Sequence, residues 1–185
     1  MNKYIISVDG PSGSGKEKIA RYISRKYNFY HLDSGNFYRN LAYKIYKKNI
    51  DAKDKKKIFI FLKNIDSISQ RRSKKLRNEK IAKIASNIAI YPKIRNFINK
   101  QQHVVVSKLL KKYKGCVIDG RDIGSKVFKN ANIKLFIIAN IEIRAKRRHK
   151  QLIEQGEKSI YSRILKDLKL RDKTDTKRNV SPLVV

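Results

Sequence analysis

Cysteine is nearly absent. Cys116 stands alone among 185 residues, so no internal disulfide is possible. Its apolar neighbours Val117 and Ile118 mark it as a small buried residue of a reducing cytoplasm, not a catalytic thiol. No run approaches the roughly 20 apolar residues that span a bilayer, and the N-terminus lacks a signal-peptide layout. Zinc-ligand spacings, an aromatic RNA-binding signature and internal repeats are missing too. Acidic residues are scarce, 15 against 46 basic ones, for a net charge of +31. Such a charge suggests nucleic-acid binding. Yet lysine, isoleucine, asparagine and tyrosine dominate together, as AT-rich codons favour, and the lysines are spread along the whole chain. Most of the charge therefore reads as solvated surface, with loose, salt-sensitive nucleic-acid binding as a side effect.

What is present is one domain's length of chain, with 41% hydrophobic and 9% aromatic residues, enough for a real core. The most informative stretch runs from Tyr4 to Lys16: an apolar segment, then Gly10-Pro11-Ser12-Gly13-Ser14-Gly15-Lys16, then a helix-like segment. This is the order a phosphate-binding loop requires. The glycines let backbone N–H groups converge, the helix lends its positive end, and Lys16 reaches the outer phosphates of a nucleotide. One position departs from the usual pattern. Glu17 stands where a Ser or Thr hydroxyl ordinarily holds Mg²⁺, and Lys18 supplies no substitute.

Along the chain, residues 4–9, 29–33, 116–120 and 133–139 read as buried strands. Residues 16–27, 36–48, 79–90, 92–113, 141–154 and 159–173 read as helices. Strands alternating with helices predict an α/β fold, a parallel doubly wound sheet with ligands at the C-terminal strand ends. Residues 51–77 read as a polar, helical inserted lobe with one apolar patch, Ile58 to Leu62. The densest basic tract, Gln70 to Arg77, reads as an exposed loop or helix start. The expected division is a core of 1–50 and 114–140, an insert of about 51–113, and a lid with C-terminal helices over 141–180.

Polar clusters fall at the strand ends. Asp33-Ser34-Gly35 and Asp119-Gly120-Arg121-Asp122 each follow a strand, so Arg121 can bind a phosphate and Asp122 can accept hydrogen bonds from a base. Arg144, Arg147 and Arg148 share a helix face, which points to a phosphate clamp. Arg171, Asp175 and Arg178 read, taken alone, as a surface ion-pair ladder of little energetic worth. No Ser/His/Asp arrangement or paired-carboxylate site stands out, and the three histidines are scattered. A phosphate acceptor, already ionised near neutrality, would need positioning and charge neutralisation rather than a general base.

These motifs, in this order, closely resemble those of bacterial cytidylate kinases, P-loop nucleoside-monophosphate kinases that phosphorylate CMP and dCMP from ATP. The matching residues are Val8 to Lys16, Leu32-Asp33-Ser34-Gly35 with Tyr38-Arg39, Ala85-Ser86 with Pro92 and Arg95, and Asp119 to Gly124. They continue through Arg144, Arg147, Arg148, Leu152, Arg171, Asp175, Arg178, Pro182 and Leu183. The resemblance implies that Ser86, Arg95 and Asp122 read the cytosine edge and that Ser34, Arg39 and Arg121 surround the acceptor phosphate. It also implies that Arg171, Asp175 and Arg178 grip sugar and phosphate, and that Arg147 and Arg148 belong to a lid closing over ATP. Lys16, Arg121, Arg147 and Arg148 would then be the catalytic set, with Mg²⁺ on the ATP phosphates and Asp33 or Asp119 as ligands through water. The expected protein is a cytoplasmic monomer.

Three departures qualify the resemblance. Glu17-Lys18 replaces the hydroxyl pair; either Glu17 touches Mg²⁺ directly or Lys18 replaces some of its charge. The inserted lobe is short, with little counterpart to the family's small antiparallel sheet between Asn64 and Leu76. The sequence stops at Val185, where the family continues into a strand, which Val184-Val185 would begin, and a helix; modest stability is expected in consequence. The alternatives are a kinase with UMP or AMP as acceptor, or a decayed nucleotide- or RNA-binding protein.

Overall fold

A computed structural model describes residues 3–76, 78–154 and 156–184. Four strands, β1 (Tyr4–Asp9), β2 (Tyr30–Asp33), β3 (Gly115–Gly120) and β4 (Ile133–Phe136), form one sheet in the order β2-β3-β1-β4. Every pairing is parallel. Apolar runs without alternation suit such a sheet because both faces are covered. Cys116 and Ile118 of β3 face one layer of core and Val117 the other. Burial lifts the Cys116 thiol to about 12, in keeping with an inert core residue.

The helices are α1 (Lys16–Lys26), α2 (Gly35–Lys47), α3 (Lys55–Lys63), α4 (Glu79–Ile88), α5 (Pro92–Lys112), α6 (Ile141–Glu154) and α7 (Tyr161–Lys177). Helix α1 covers the sheet face built from Ile6, Val8 and Val117. Helices α2, α4 and α5 cover the other, around Phe37, Leu41, Ile45, Ile88 and Ile98. Local chemistry explains the starts: Asp54 and Asn78 accept from the N–H groups of Lys57 and Ile81, and Pro92 stands in the first turn of α5. Helices α6 and α7 pack on each other through Ala145, Leu152, Ile164 and Leu168.

Three boundaries differ from the sequence reading. Strand β4 stops at Phe136 rather than 139. Ile137 still donates its N–H to the Asp9 carbonyl at 2.8 Å, but Ile138 is exposed and the chain leads away into α6. Helix α7 runs to Lys177, four residues past its expected end, so Arg171 and Asp175 share a helix and Arg178 caps it. Val184 belongs to no strand. Leu183 is buried instead and donates its N–H to the Asp175 carbonyl at 2.7 Å; Val185 lies outside the described residues. The insert contains α3, α4, α5 and a 3₁₀ turn, Lys74–Leu76, with no strand among its described residues.

Parallel register sets the site. Asp33 stands opposite Asp119, and Asp9 opposite Gly120. Three strands thus end side by side at one edge of the sheet. Asp9 closes that edge: its carboxylate accepts from Ile123 N at 2.9 Å and Gly124 N at 2.8 Å, in the π turn Ile123–Val127. Asp9→Ala removes two charge-assisted acceptors from a buried position and is expected to lower the unfolding free energy by roughly 2–4 kcal/mol, measured by urea titration. A loss below about 0.5 kcal/mol would show that Asp9 does not hold the turn.

Candidate active site

The phosphate loop joins β1 to α1. Gly10 has φ +150°, and a Cβ there would collide with the Ile137 carbonyl, so only glycine fits. Gly15 caps α1 at φ 95° with no side-chain cap, which leaves the first N–H groups of the helix for a ligand. Lys16 is buried and donates from Nζ to the Pro11 carbonyl at 3.0 Å. Burial and the Arg121 and Arg171 guanidiniums hold its ammonium well below the usual range, against the pull of Asp119 and Asp33. Ser14 Oγ is buried without a protein partner. A depressed ammonium, orphan helix N–H groups and a lone hydroxyl at one turn together make an anion cradle.

Opposite it stands a wall of arginines on few carboxylates. Arg121 donates from Nε to Asp175 Oδ2 at 3.1 Å, and Arg178 donates from Nη1 to Asp175 Oδ1 at 3.1 Å. Desolvation would raise the Asp175 carboxyl, but Arg121, Arg171 and Arg178 outweigh it and hold the group below its usual 3.8. Burial, with Arg121 nearby, pushes Arg171 down to about 10. Arg95 is buried, ion-paired with Asp122, donates to the Ala89 carbonyl at 3.0 Å, and stacks 5.7 Å from the Tyr38 ring centroid. Arg95 Nε, Arg171 Nε and Arg178 Nη2 have no protein partner although buried. Ser86 is half-buried on α4.

Other expected site residues have different tasks. Ser34 donates from Oγ to the Asp119 carbonyl at 2.7 Å and so fastens the end of β3. Arg39 pairs with Asp33 at 3.4 Å. The three arginines of α6 have different surroundings. Arg144 is buried, holds Asp172 with two bonds (3.1 and 2.6 Å) and donates to the Ser12 carbonyl at 3.1 Å, tying the phosphate loop to α6 and α7. Arg148 pairs with Glu79 of the insert and donates to Gln151 at 2.8 Å. Arg147 is exposed, with Nη1 3.6 Å from where a Cβ on Gly15 would stand, so it lies beside the phosphate loop. Asp172 and Glu79 relieve the repulsion between Arg144 and Arg148.

Glu17 is engaged by arginines. It accepts from Arg21 at 2.9 and 3.1 Å and pairs with Arg72 at 3.0 Å, while Lys18 points into solvent. Neither residue is placed as the missing metal ligand. Asp33 and Asp119 remain, neighbours in register. Burial and the Asp119 charge raise the Asp33 carboxyl, against the pull of Arg39, and a cation between the two would relieve that strain. Among the described residues no group of three or more His, Cys, Asp or Glu side chains is placed to hold a metal by itself.

The family model for cytidylate kinase matches residues 6–185. This chain belongs to the cytidylate kinase family. It is 38% identical to the cytidylate kinase of Bartonella bacilliformis, covering 99% of this chain and 83% of that one. It is 37% identical to that of Fusobacterium nucleatum (99% and 86%) and 38% identical to that of Nitrosomonas eutropha (98% and 84%). Reading the sequence missed the parts played by Asp9 and Asp172. Each depends on a partner far away in the chain, and local sequence signals only that Asp9 ends a strand.

Asp175 gives a pH signature. Its folded-state carboxyl binds a proton less readily than the unfolded chain does, so it contributes stability above 3.8 that is lost as pH falls through its lowered folded value. Unfolding free energies of wild type and Asp175→Asn, compared from pH 7 to pH 2, are expected to converge at the acid end. A gap independent of pH would show that the arginines do not hold Asp175 ionised.

Proposed function

We propose that this protein transfers the γ-phosphate of ATP to CMP or dCMP, forming ADP and CDP or dCDP. The observation that carries the reading is the crowding of cations between the phosphate loop and Asp175: Lys16 is buried and held down by burial and by the Arg121 and Arg171 guanidiniums, and Arg171 is held down by burial and by Arg121. Cations crowded in this way are relieved by anions, and two nucleotide phosphates supply them. Family membership supports cytidine as the acceptor base. So does Asp122, an acceptor-only group suited to the cytosine amino donor that uracil lacks.

The chain's own residues divide the work. The Gly10–Gly15 loop and the start of α1 bind the ATP phosphates, and Lys16 stabilises charge on the group in transfer. Arg121, Arg171 and Arg178, oriented by Asp175, hold the acceptor phosphate and sugar, with Arg39 nearby. Ser86, Arg95 and Asp122 select the base. Arg147 covers the loop from the lid, and exclusion of water by the lid favours transfer over hydrolysis. No general base is needed, because the acceptor phosphate is ionised already. Mg²⁺ on ATP would be held through water by Asp33 and Asp119 and would neutralise charge on the phosphates. The core of 1–50 and 114–140, the acceptor-binding insert of 51–113 and the lid region of 141–180 are the working parts. A cytoplasmic monomer with weak, salt-dependent nucleic-acid binding completes the reading.

ADP formation from ATP, with CMP, dCMP, UMP and AMP offered separately, is expected to require Mg²⁺ and to be confined to CMP and dCMP. Lys16→Ala is expected to lower kcat by about 10²–10³-fold. A folded protein without turnover on any acceptor would sink the kinase reading; turnover on UMP equal to CMP would sink the role of Asp122.

A further inference from the structure

His31 and Arg72 stand outside every role given above, yet they touch the site. His31, on β2, places Nε2 2.6 Å from Asp119 Oδ1, and both side chains are nearly buried, at 10% and 6% exposure. Its other nitrogen, Nδ1, lies 3.4 Å from Arg72 Nη2. Arg72 comes from the loop between α3 and the 3₁₀ turn and is seated on Glu17 at 3.0 Å. Asn40 secures that loop by donating to the Arg71 carbonyl at 3.2 Å. His31, Arg72 and Asp33 line one cavity of about 490 Å³.

The two ends of this chain of contacts agree on where the imidazole proton sits. A guanidinium only donates, so Nδ1 accepts; an ionised carboxylate only accepts, so Nε2 donates. We propose that His31 and Arg72 are positioning residues for the kinase reaction, Arg72 setting the Nε2–H tautomer of His31 and His31 holding the Asp119 carboxylate in a fixed orientation. This rests on the kinase reading and deepens it. Asp119 stands beside the like-charged Asp33, and without a donor on Oδ1 it would turn to avoid its neighbour. With Oδ1 bound to His31, Oδ2 is left to accept from a metal-bound water. Glu17, in the place of the usual metal-binding hydroxyl, thereby acts through Arg72, with Arg21 bracing it from its own helix. Groups that orient a metal-associated carboxylate typically change metal affinity by about 10–100-fold.

Two measurements test this besides activity. Long-range ¹⁵N–¹H correlation spectra of the metal-free protein are expected to show the Nε2–H tautomer for His31 in wild type and a tautomer mixture in Arg72→Ala. Calorimetric binding of ADP, with and without Mg²⁺, is expected to show an affinity gain from Mg²⁺ in wild type. In Arg72→Ala and His31→Phe that gain shrinks about tenfold while Mg-free ADP binding is retained, and His31→Gln, which keeps a donor, restores most of it. An Nδ1–H tautomer in wild type, no Mg²⁺ gain in wild type, or a gain unchanged in Arg72→Ala would each overturn the proposal. Arg72 is 30% exposed on a loop, so its variant folds and decides the matter even if His31→Phe does not. Turnover of CMP by wild type, measured in parallel, separates the two readings: turnover with an unchanged gain sinks the positioning role alone. Lost turnover with the expected spectra and gains sinks the kinase reading alone.

Discussion

A buried guanidinium or ammonium needs an anion, and this chain has few to offer. Against 46 basic residues stand 15 acidic ones, and more than half of those line one cleft: Asp9, Asp33, Asp119, Asp122, Asp172 and Asp175, with Glu17 and Glu79 at its rim. Where each carboxylate goes decides which cation is tied down and which is left waiting. Asp172 immobilises Arg144, Asp122 immobilises Arg95, and Asp175 divides itself between Arg121 and Arg178. Lys16 and Arg171, held down by burial and by neighbouring guanidiniums, are the ones a phosphate would relieve. Scarcity of acid thus leaves cations at this site for an anion to meet.

The sheet supplies the frame for that distribution. Parallel pairing in the order β2-β3-β1-β4 brings Asp33, Asp119 and Asp9 to one edge, and a shift of one residue in either register would separate them. Around this edge the phosphate loop is fastened from several sides. Arg144 holds the Ser12 carbonyl, Ile137 crowds Gly10, and Glu17 draws in Arg72 from the insert. The Arg148–Glu79 pair spans from α6 to α4. Such a partly exposed pair adds little to stability.

Much of this architecture is legible in local sequence. Glycine placement, apolar runs and 3.6-residue spacing mark the phosphate loop, the four strands and six of the seven helices, because those signals need no distant partner. Helix α3 shows only as an apolar patch in a polar, helical stretch. The convergence of three polar turns follows from the rule that parallel α/β sheets bind ligands at their C-terminal ends. The partners of Arg144 and Arg148 are a different matter. Helical spacing shows which side chains share a face, not which carboxylate each meets; Arg144 meets one from α7 and Arg148 one from α4. Arg72 reads as part of an exposed basic tract, yet its guanidinium lies against Glu17 and His31.

By itself the sequence determined the order of elements, the phosphate loop and the family, since backbone freedom at Gly10 and the periodicity of α4 or α5 need no distant partner. Tertiary structure alone decided the pairings Arg144–Asp172, Arg72–Glu17, His31–Asp119 and Asp9 with the Ile123–Gly124 backbone. In each, the two members are between 28 and 115 residues apart, and charge partners are chosen by distance in space and by shared burial, neither of which is written in local spacing.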